Sequence, residues 1–395
     1  MADLQTSHAM KILHVGKFFY PYHGGMENFL TDLVLQQTAS GLNASVIAHN
    51  HHGLELTGHE TVKDVSVTRT LSLGQLVYAP LAPTFGYHLA KAISGVQPEI
   101  IHLHLPNLSA FWILLINTRA PVVMQWQSDV VPSKVDKRLS LFYPAYRILE
   151  RKLLERAQAV IVSSENYLHG SECLQAFRGK TAVIPLGLNP DRIYCPDTEE
   201  IRRVKRKFGH FLILSAGRFT YYKGFQYLIR AAADVPEASF VIVGDGPLRN
   251  TMIDKIVQAG LDNRFFLPGS LSDKELHSLM AACDLFCLPS IERTESFGIV
   301  LLEAMTFGKP LITTDIEGSG VNWVNVAGET GLVVRSADAA ALAEGIKALL
   351  NNPAVRLEMG HRARQRFNGL FRIQTVSEKI MSLYSTLQTP LSGAA

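Results

Sequence analysis

Cysteine is scarce, with four residues in 395, and Cys173, Cys195, Cys283 and Cys287 follow no metal-ligand spacing. That excludes a disulfide scaffold and fits a reducing compartment, with Cys283 and Cys287 expected as buried thiols in an apolar run. No apolar run is long enough to span a bilayer; the longest, "LSAFWILLIN" at 108–117, reaches half the needed length. The opening "MADLQTSHAM" lacks the charged-then-apolar order of a signal peptide and reads as a loose tail over 1–9. An excess of one charge is missing too. Lys plus Arg is 38 against 35 Asp plus Glu, a net charge of +3, which argues against nucleic acid as a partner. No Asp-x-Asp pair occurs, so nothing in the sequence demands a divalent metal.

What is present is apolar residues, 47% of the chain, enough to build two or three cores. They fall in short runs that are apolar on both faces, as buried parallel strands require. "KILHVG" (11–16), "ASVIAH" (44–49), "EIIHLH" (99–104), "PVVMQW" (121–126) and "AVIVSS" (159–164) form a first set. A polar stretch, "YCPDTEEIRRVKRKFG" (194–209), precedes a second: "FLILSAG" (211–217), "SFVIVGDG" (239–246), "RFFLPG" (264–269), "DLFCLPS" (284–290), "PLITTD" (310–315) and "TGLVVR" (330–335). Segments of helical spacing separate them. The expected fold is α/β, with two doubly wound domains facing across a cleft. The division expected is 1–9 as tail, 10–192 as first domain, 193–370 as second, and 371–395 as a C-terminal helix and tail crossing back to the first domain.

The segment "SIERTESFGIVLLEAM" (290–305) sets Glu295 and Glu303 at the ends of seven mostly apolar residues. A helix capped by Ser296 and ending at Gly308 places one acid at its mouth and the other roughly 12 Å along its flank. Free backbone N–H groups and the positive end of the dipole suit a phosphate there. A sugar nucleotide is about that long and carries hydroxyls on both sides of its diphosphate. The bland alternative is a loop acid and a solvated helix acid. The neighbours weigh against it: "AGRFTYYKGF" (216–225) follows the first strand of the second set, where doubly wound folds bind ligands, and its Arg218 and Lys223 can neutralise a diphosphate. "VGDGPLRN" (243–250) is by itself a weak turn signal.

Gly217-Arg218, Lys223-Gly224, "GDGP", "LPGSLSDKEL" (267–276) and the two acids seven apart, in that order, resemble the retaining glycosyltransferases of family 4, which have the GT-B architecture of two Rossmann-like domains. The likeness covers nearly the whole chain. It implies that Arg218 and Lys223 bind the donor diphosphate, that Glu295 contacts the transferred sugar, and that these three carry catalysis. It assigns the phosphate to the amides of Ser296, Phe297, Gly298 and Ile299, the ribose to Glu303, and the border of the base to Leu267–Gly269. "EGSGVNWVNVAGETGLVV" (317–334) resembles the branch making bacterial surface polysaccharides such as lipopolysaccharide, often from GDP-mannose or a GDP-6-deoxyhexose. No cofactor is implied beyond the nucleotide-sugar donor. A glycan or lipid-linked acceptor is expected as partner, with a cytoplasmic location, peripheral to the inner membrane.

In the first set, Gly24-Gly25 opens a helix whose mouth lies, by the resemblance, at the donor phosphates and acceptor; an ordinary tight turn is the alternative. "MQWQSDVV" (124–131) departs from the family, which generally has histidine where Gln127 stands, touching the sugar near its sixth carbon. Glutamine cannot carry a proton at neutral pH. It implies either tuning to another sugar, such as one lacking the 6-hydroxyl, or weakened activity. Asp129 is a candidate to orient this loop. His102 and His104 either border the acceptor or, more simply, belong to the core; "HNHHG" (49–53) is expected to decorate a loop. The segment 133–158 mixes Lys134, Lys137, Arg138, Arg147, Arg151, Lys152 and Arg156 with apolar residues at helical spacing. It is either a face for anionic lipid or a solvated helix packed on its domain. A GT-B-like phosphorylase or epimerase, or a catalytically silent sugar-nucleotide-binding subunit, are the rival functions.

Overall fold

The computed structural model describes residues 9–51, 55–76, 79–130, 137–209 and 211–388. The tail over 1–8, Lys134, and residues 389–395 lie outside them. The chain forms two compact units: 1–163 with 171–187 and 373–395, and 164–170 with 188–372. This interleaved division differs from the linear one at 164–170, 188–192 and 371–372. The short segment packs within the second unit, with the Arg293 guanidinium 4.8 Å from the Tyr167 ring centre and Gly170 against Gly318.

Unit 1 carries strands Lys11–Val15 (β1), Asn43–His49 (β2), Gly58–Val62 (β3), Val65–Thr70 (β4), the small hairpin Gln75–Leu76 (β5) and Ala79–Pro80 (β6), then Ile100–Leu105 (β7), Val122–Trp126 (β8), Ala159–Val162 (β9) and Thr181–Val183 (β10). Its main sheet runs β10-β9-β8-β7-β1-β2-β4-β3, parallel except for the β3–β4 pair. The arm β3–β4 escaped the sequence reading because β3 is a polar, mostly exposed edge strand without the double-sided apolar signature. Helices Gly25–Ala39 and Ile373–Gln388 pack together in this unit.

Unit 2 carries Phe211–Ala216 (β11), Ala238–Val243 (β12), Phe265–Gly269 (β13), Leu285–Leu288 (β14), Leu311–Thr314 (β15) and Gly331–Val334 (β16), all parallel, in the order β13-β12-β11-β14-β15-β16. Ile213, Phe240, Leu285 and Ile312 from the sheet meet Leu228, Ile229, Leu342 and Ile346 from the helices in one buried cluster. Each such side chain adds about 1.5–3 kcal/mol by leaving water. The strand order reverses between β11 and β14 here, and between β1 and β7 in unit 1. Side chains in the loops after those strands stand where a doubly wound sheet leaves room for a ligand.

Candidate functional site

Lys223 and Glu295 come from the two loops at the unit 2 switch point, after β11 and β14. Their side chains form an ion pair, Nζ to Oε2 2.5 Å, with the residues 9% and 8% exposed. Burial, the largest single influence, pushes the Lys223 ammonium toward neutrality, but the Glu295 charge and hydrogen bond together with Tyr222 outweigh it, and the pKa is raised. The pair uses one of the three N–H donors of Lys223. Two serines hold Glu295: the Ser290 hydroxyl donates to Oε2 at 2.9 Å, and the Ser319 hydroxyl donates to its backbone carbonyl. Gly224, at φ +66°, packs so closely on the Pro289 carbonyl that a Cβ would collide with it. That close approach brings the two loops together. Arg218 stands exposed beside Gly217, whose Cα faces the Lys223 chain.

The helix after Glu295 differs from expectation. It spans Ile299–Thr306 and is capped by Gly298 in the left-handed region at φ +74°, so Ser296 is not its cap. The Ser296 carbonyl instead accepts from the Gly320 amide at 2.8 Å, which holds residues 295–298 out of helical geometry. The two acids are therefore not stacked along one helix flank. Phe297 is 1% exposed and packs near Trp323 and Phe371, so only its backbone faces the loop chemistry. Glu303 is buried and its Oε1 lies 3.2 Å from the Arg192 guanidinium. Sequence reasoning missed Arg192, because its partner is 111 residues away and "NPDRIY" carries no periodic signal. Gly269 ends β13 at φ +87°, and the Arg249 guanidinium donates to the Leu267 carbonyl at 3.0 Å.

In unit 1, Gly24 caps the helix Gly25–Ala39 with extended backbone, and a Cβ there would meet the Glu27 carboxylate. Burial raises the Glu27 pKa. Gln127 follows β8, is 3% exposed, and its Nε2 has no hydrogen-bond partner among the described residues. Asp129 accepts from the Trp126 indole at 2.7 Å and the Ser171 hydroxyl at 2.8 Å, which ties the Gln127 loop to the segment 171–173. His49 does not decorate a loop. It is the last residue of β2, fully buried, with its ring bonded to the Lys17 carbonyl and, at 2.8 Å, to Ser109. His102 and His104 are core residues of β7. Cys283 and Cys287 are buried free thiols.

The helix expected over 133–158 spans Lys137–Arg156. It exposes Leu141, Phe142 and Ile148 at 74%, 60% and 61%, beside Leu115 at 78% on the neighbouring segment Leu108–Leu115. No helix among the described residues is long and apolar enough to cross a membrane.

The two loops thus set an ion pair beside helix-end amides at a switch point, the place where a doubly wound sheet leaves room for a ligand. Residues 197–366 match the model for glycosyl transferases group 1, and residues 24–187 the glycosyl transferase 4-like domain. O-antigen chain mannosyltransferase C of Escherichia coli is 30% identical over 96% of this chain and 99% of its own. D-rhamnosyltransferase WbpZ of Pseudomonas aeruginosa is 33% identical over 70% of this chain and 71% of its own. Among solved structures, sucrose-phosphate synthase from Thermosynechococcus elongatus superposes with a TM-score of 0.79 at 22% identity, covering 96% of this chain and 99% of the other. Anabaena HepE in complex with UDP gives 0.75 at 22%, covering 95% and 100%. The chain belongs to the family-4 glycosyltransferases of GT-B architecture, in the branch of surface-polysaccharide mannosyl- and rhamnosyltransferases. It is a hexosyltransferase by family.

Proposed function

We propose that this protein transfers mannose, or a 6-deoxyhexose of rhamnose type, from a GDP-linked donor to a glycan or lipid-linked acceptor, with retention of configuration and without a metal. The observation that carries the reading is the buried Lys223–Glu295 pair beside the amides before Ile299. Lys223 and Arg218 take the diphosphate, Glu295 the sugar hydroxyls, and Glu303, held by Arg192, the ribose. Leu267–Gly269 borders the base. The mannosyl- and rhamnosyltransferase relatives support the sugar class.

Glu295 is engaged by a lysine and two serines, which suits a group that orients hydroxyls better than a covalent nucleophile. The economical chemistry is front-face displacement. The bond from the anomeric carbon to the diphosphate oxygen breaks, the acceptor oxygen bonds on the same face, and a phosphate oxygen receives the acceptor's proton. Positive side chains and helix-end amides then stabilise the leaving diphosphate in place of a metal.

A thermal-shift panel of GDP, UDP, ADP and TDP sugars, followed by transfer assays in EDTA with product anomer analysis, tests the reading. Stabilisation by UDP- or ADP-sugars alone removes the GDP assignment; an inverted anomer, or activity lost in EDTA, removes the mechanism. The exposed Leu141, Phe142 and Ile148 lie on one helix with the exposed Arg151 and Lys152, and support contact with anionic lipid. Flotation with phosphatidylglycerol vesicles at low salt checks it, and protein left at the bottom rules it out.

A further inference from the structure

Three histidines on the two strands flanking the unit 1 switch point, His14 on β1 and His102 and His104 on β7, are 0–1% exposed. One ring nitrogen from each lies within 4.8 Å of the others, close enough to suggest a metal centre. Their hydrogen bonds point elsewhere. His14 Nε2 meets the Gln37 amide oxygen at 2.9 Å; that oxygen only accepts, so His14 carries its proton on Nε2. A neutral His14 then has a lone pair on Nδ1, and the 3.1 Å contact to His104 Nε2 requires His104 to donate. At the other end, Gln37 Nε2 donates to the Tyr384 hydroxyl at 3.4 Å, and that hydroxyl donates to His102 Nδ1 at 2.6 Å. Followed from His104, every donor points the same way: His104, His14, Gln37, Tyr384, His102.

Two atoms are left over. His102 Nε2 is an unpartnered buried donor and His104 Nδ1 an unpartnered buried acceptor, on rings whose centres are 4.5 Å apart. Gln125 is beside His104 in the β7–β8 register, fully buried, with neither end of its amide bonded. Orphaned groups of this kind in a sealed site are ordinarily met by water. The species that fits must accept from one histidine and donate to the other, which water does and a cation cannot. A divalent ion would also be sealed among three neutral ligands with no carboxylate or thiolate in the group, at a large desolvation cost.

We propose that His14, Gln37, Tyr384, His102 and His104 form a neutral ring closed by one buried water, and that this ring, rather than a metal, fastens the C-terminal helix Ile373–Gln388 to the sheet of unit 1. Burial lowers the pKa of all three histidines, that of His14 to about 4, and the neighbouring rings lower those of His102 and His104 further, so all are neutral at pH 7. The ring stands independently of the donor reading.

The test uses the full chain, purified without a histidine tag and labelled with 15N-histidine. Long-range 15N–1H correlation at pH 7 should show one common tautomer for these three residues, Nε2–H as drawn; flipping the Gln37 amide reverses the whole ring and keeps the tautomer common. The relay requires one tautomer throughout, so mixed tautomers among the three residues overturn the proposal. Dialysis against Zn²⁺ or Ni²⁺ followed by metal analysis should give no stoichiometric ion that is lost in His102→Asn; such an ion also overturns it. Tyr384→Phe keeps the packing but opens the ring. Hydrogen-exchange protection of the helix 373–388 should then fall about tenfold, the scale of one or two lost buried hydrogen bonds. Unchanged protection removes the fastening role. If that variant does not fold, Gln37→Ser carries the same readout.

Discussion

In unit 2 the strands flanking the switch point, β11 and β14, are apolar apart from Ser215, and the ions Arg218, Lys223 and Glu295 stand in the loops beyond them. In unit 1 the corresponding strands, β1 and β7, carry three histidines inside the sheet, all held neutral. The same reversal of strand order thus serves opposite electrostatics. Charge placed past the strand ends keeps its partners exchangeable and can meet an anionic ligand. Polar groups placed within the strands are sealed, and they must satisfy one another or bind something neutral. Reversal of strand order provides a location for chemistry, and the depth of the side chain decides what kind.

Removing charge from the loops should have the largest effect. Lys223→Ala is expected to lower the transfer rate 10²–10³-fold, about 3–4 kcal/mol in barrier, if the ammonium stabilises the leaving diphosphate. A near-normal initial rate in a folded variant would falsify that role. Next comes the neutral side of the comparison. His49 is neutral in the fold because burial lowers its pKa to about 4, whereas unfolded it takes up a proton below about 6.5. The unfolded state therefore binds more protons as pH falls through that window, and the residue's contribution is complete above it and lost on acidification. Between pH 7.5 and 5 the stability advantage of the wild type over His49→Asn should shrink by about 2 kcal/mol in urea unfolding. A constant gap would show that His49 is not held neutral.

A smaller effect is expected at the second acid. Arg192→Ala should raise the donor KM about tenfold with little change in kcat, the signature of an interaction that orients Glu303 equally in ground and transition state. A drop in kcat alone contradicts it. The smallest expected effect is a change of preference. Gln127→His should shift the ratio of kcat/KM for GDP-mannose over GDP-rhamnose several-fold, within the 1–3 kcal/mol that one substrate contact typically supplies. An unmoved ratio means that Gln127 does not read the sugar.

Most strands were legible because a buried parallel strand is apolar on both faces, and the five runs of the first set and six of the second fall on β-strands within a residue or three. The loops bearing Arg218, Lys223 and Glu295 were legible for the same reason, since they follow those strands. The helix start was not. Ser296 is a good cap by type, but its carbonyl is claimed by Gly320, and a glycine able to take φ +74° caps the helix two residues later. Nor was the role of His14 visible: a histidine in an apolar run reads alike whether it faces a ligand or a glutamine 23 residues on.

By itself the sequence determined the two parallel sheets, the order of the loops between them, and which loops carry charge, because hydrophobic period and turn chemistry act over a few residues. The partners of the charges were decided only in three dimensions. Which serine reaches the Glu295 carbonyl, which arginine meets Glu303, and which way the proton of each buried histidine points depend on groups brought together across tens to hundreds of residues. Their energies come from shared burial, which no local stretch of chain encodes.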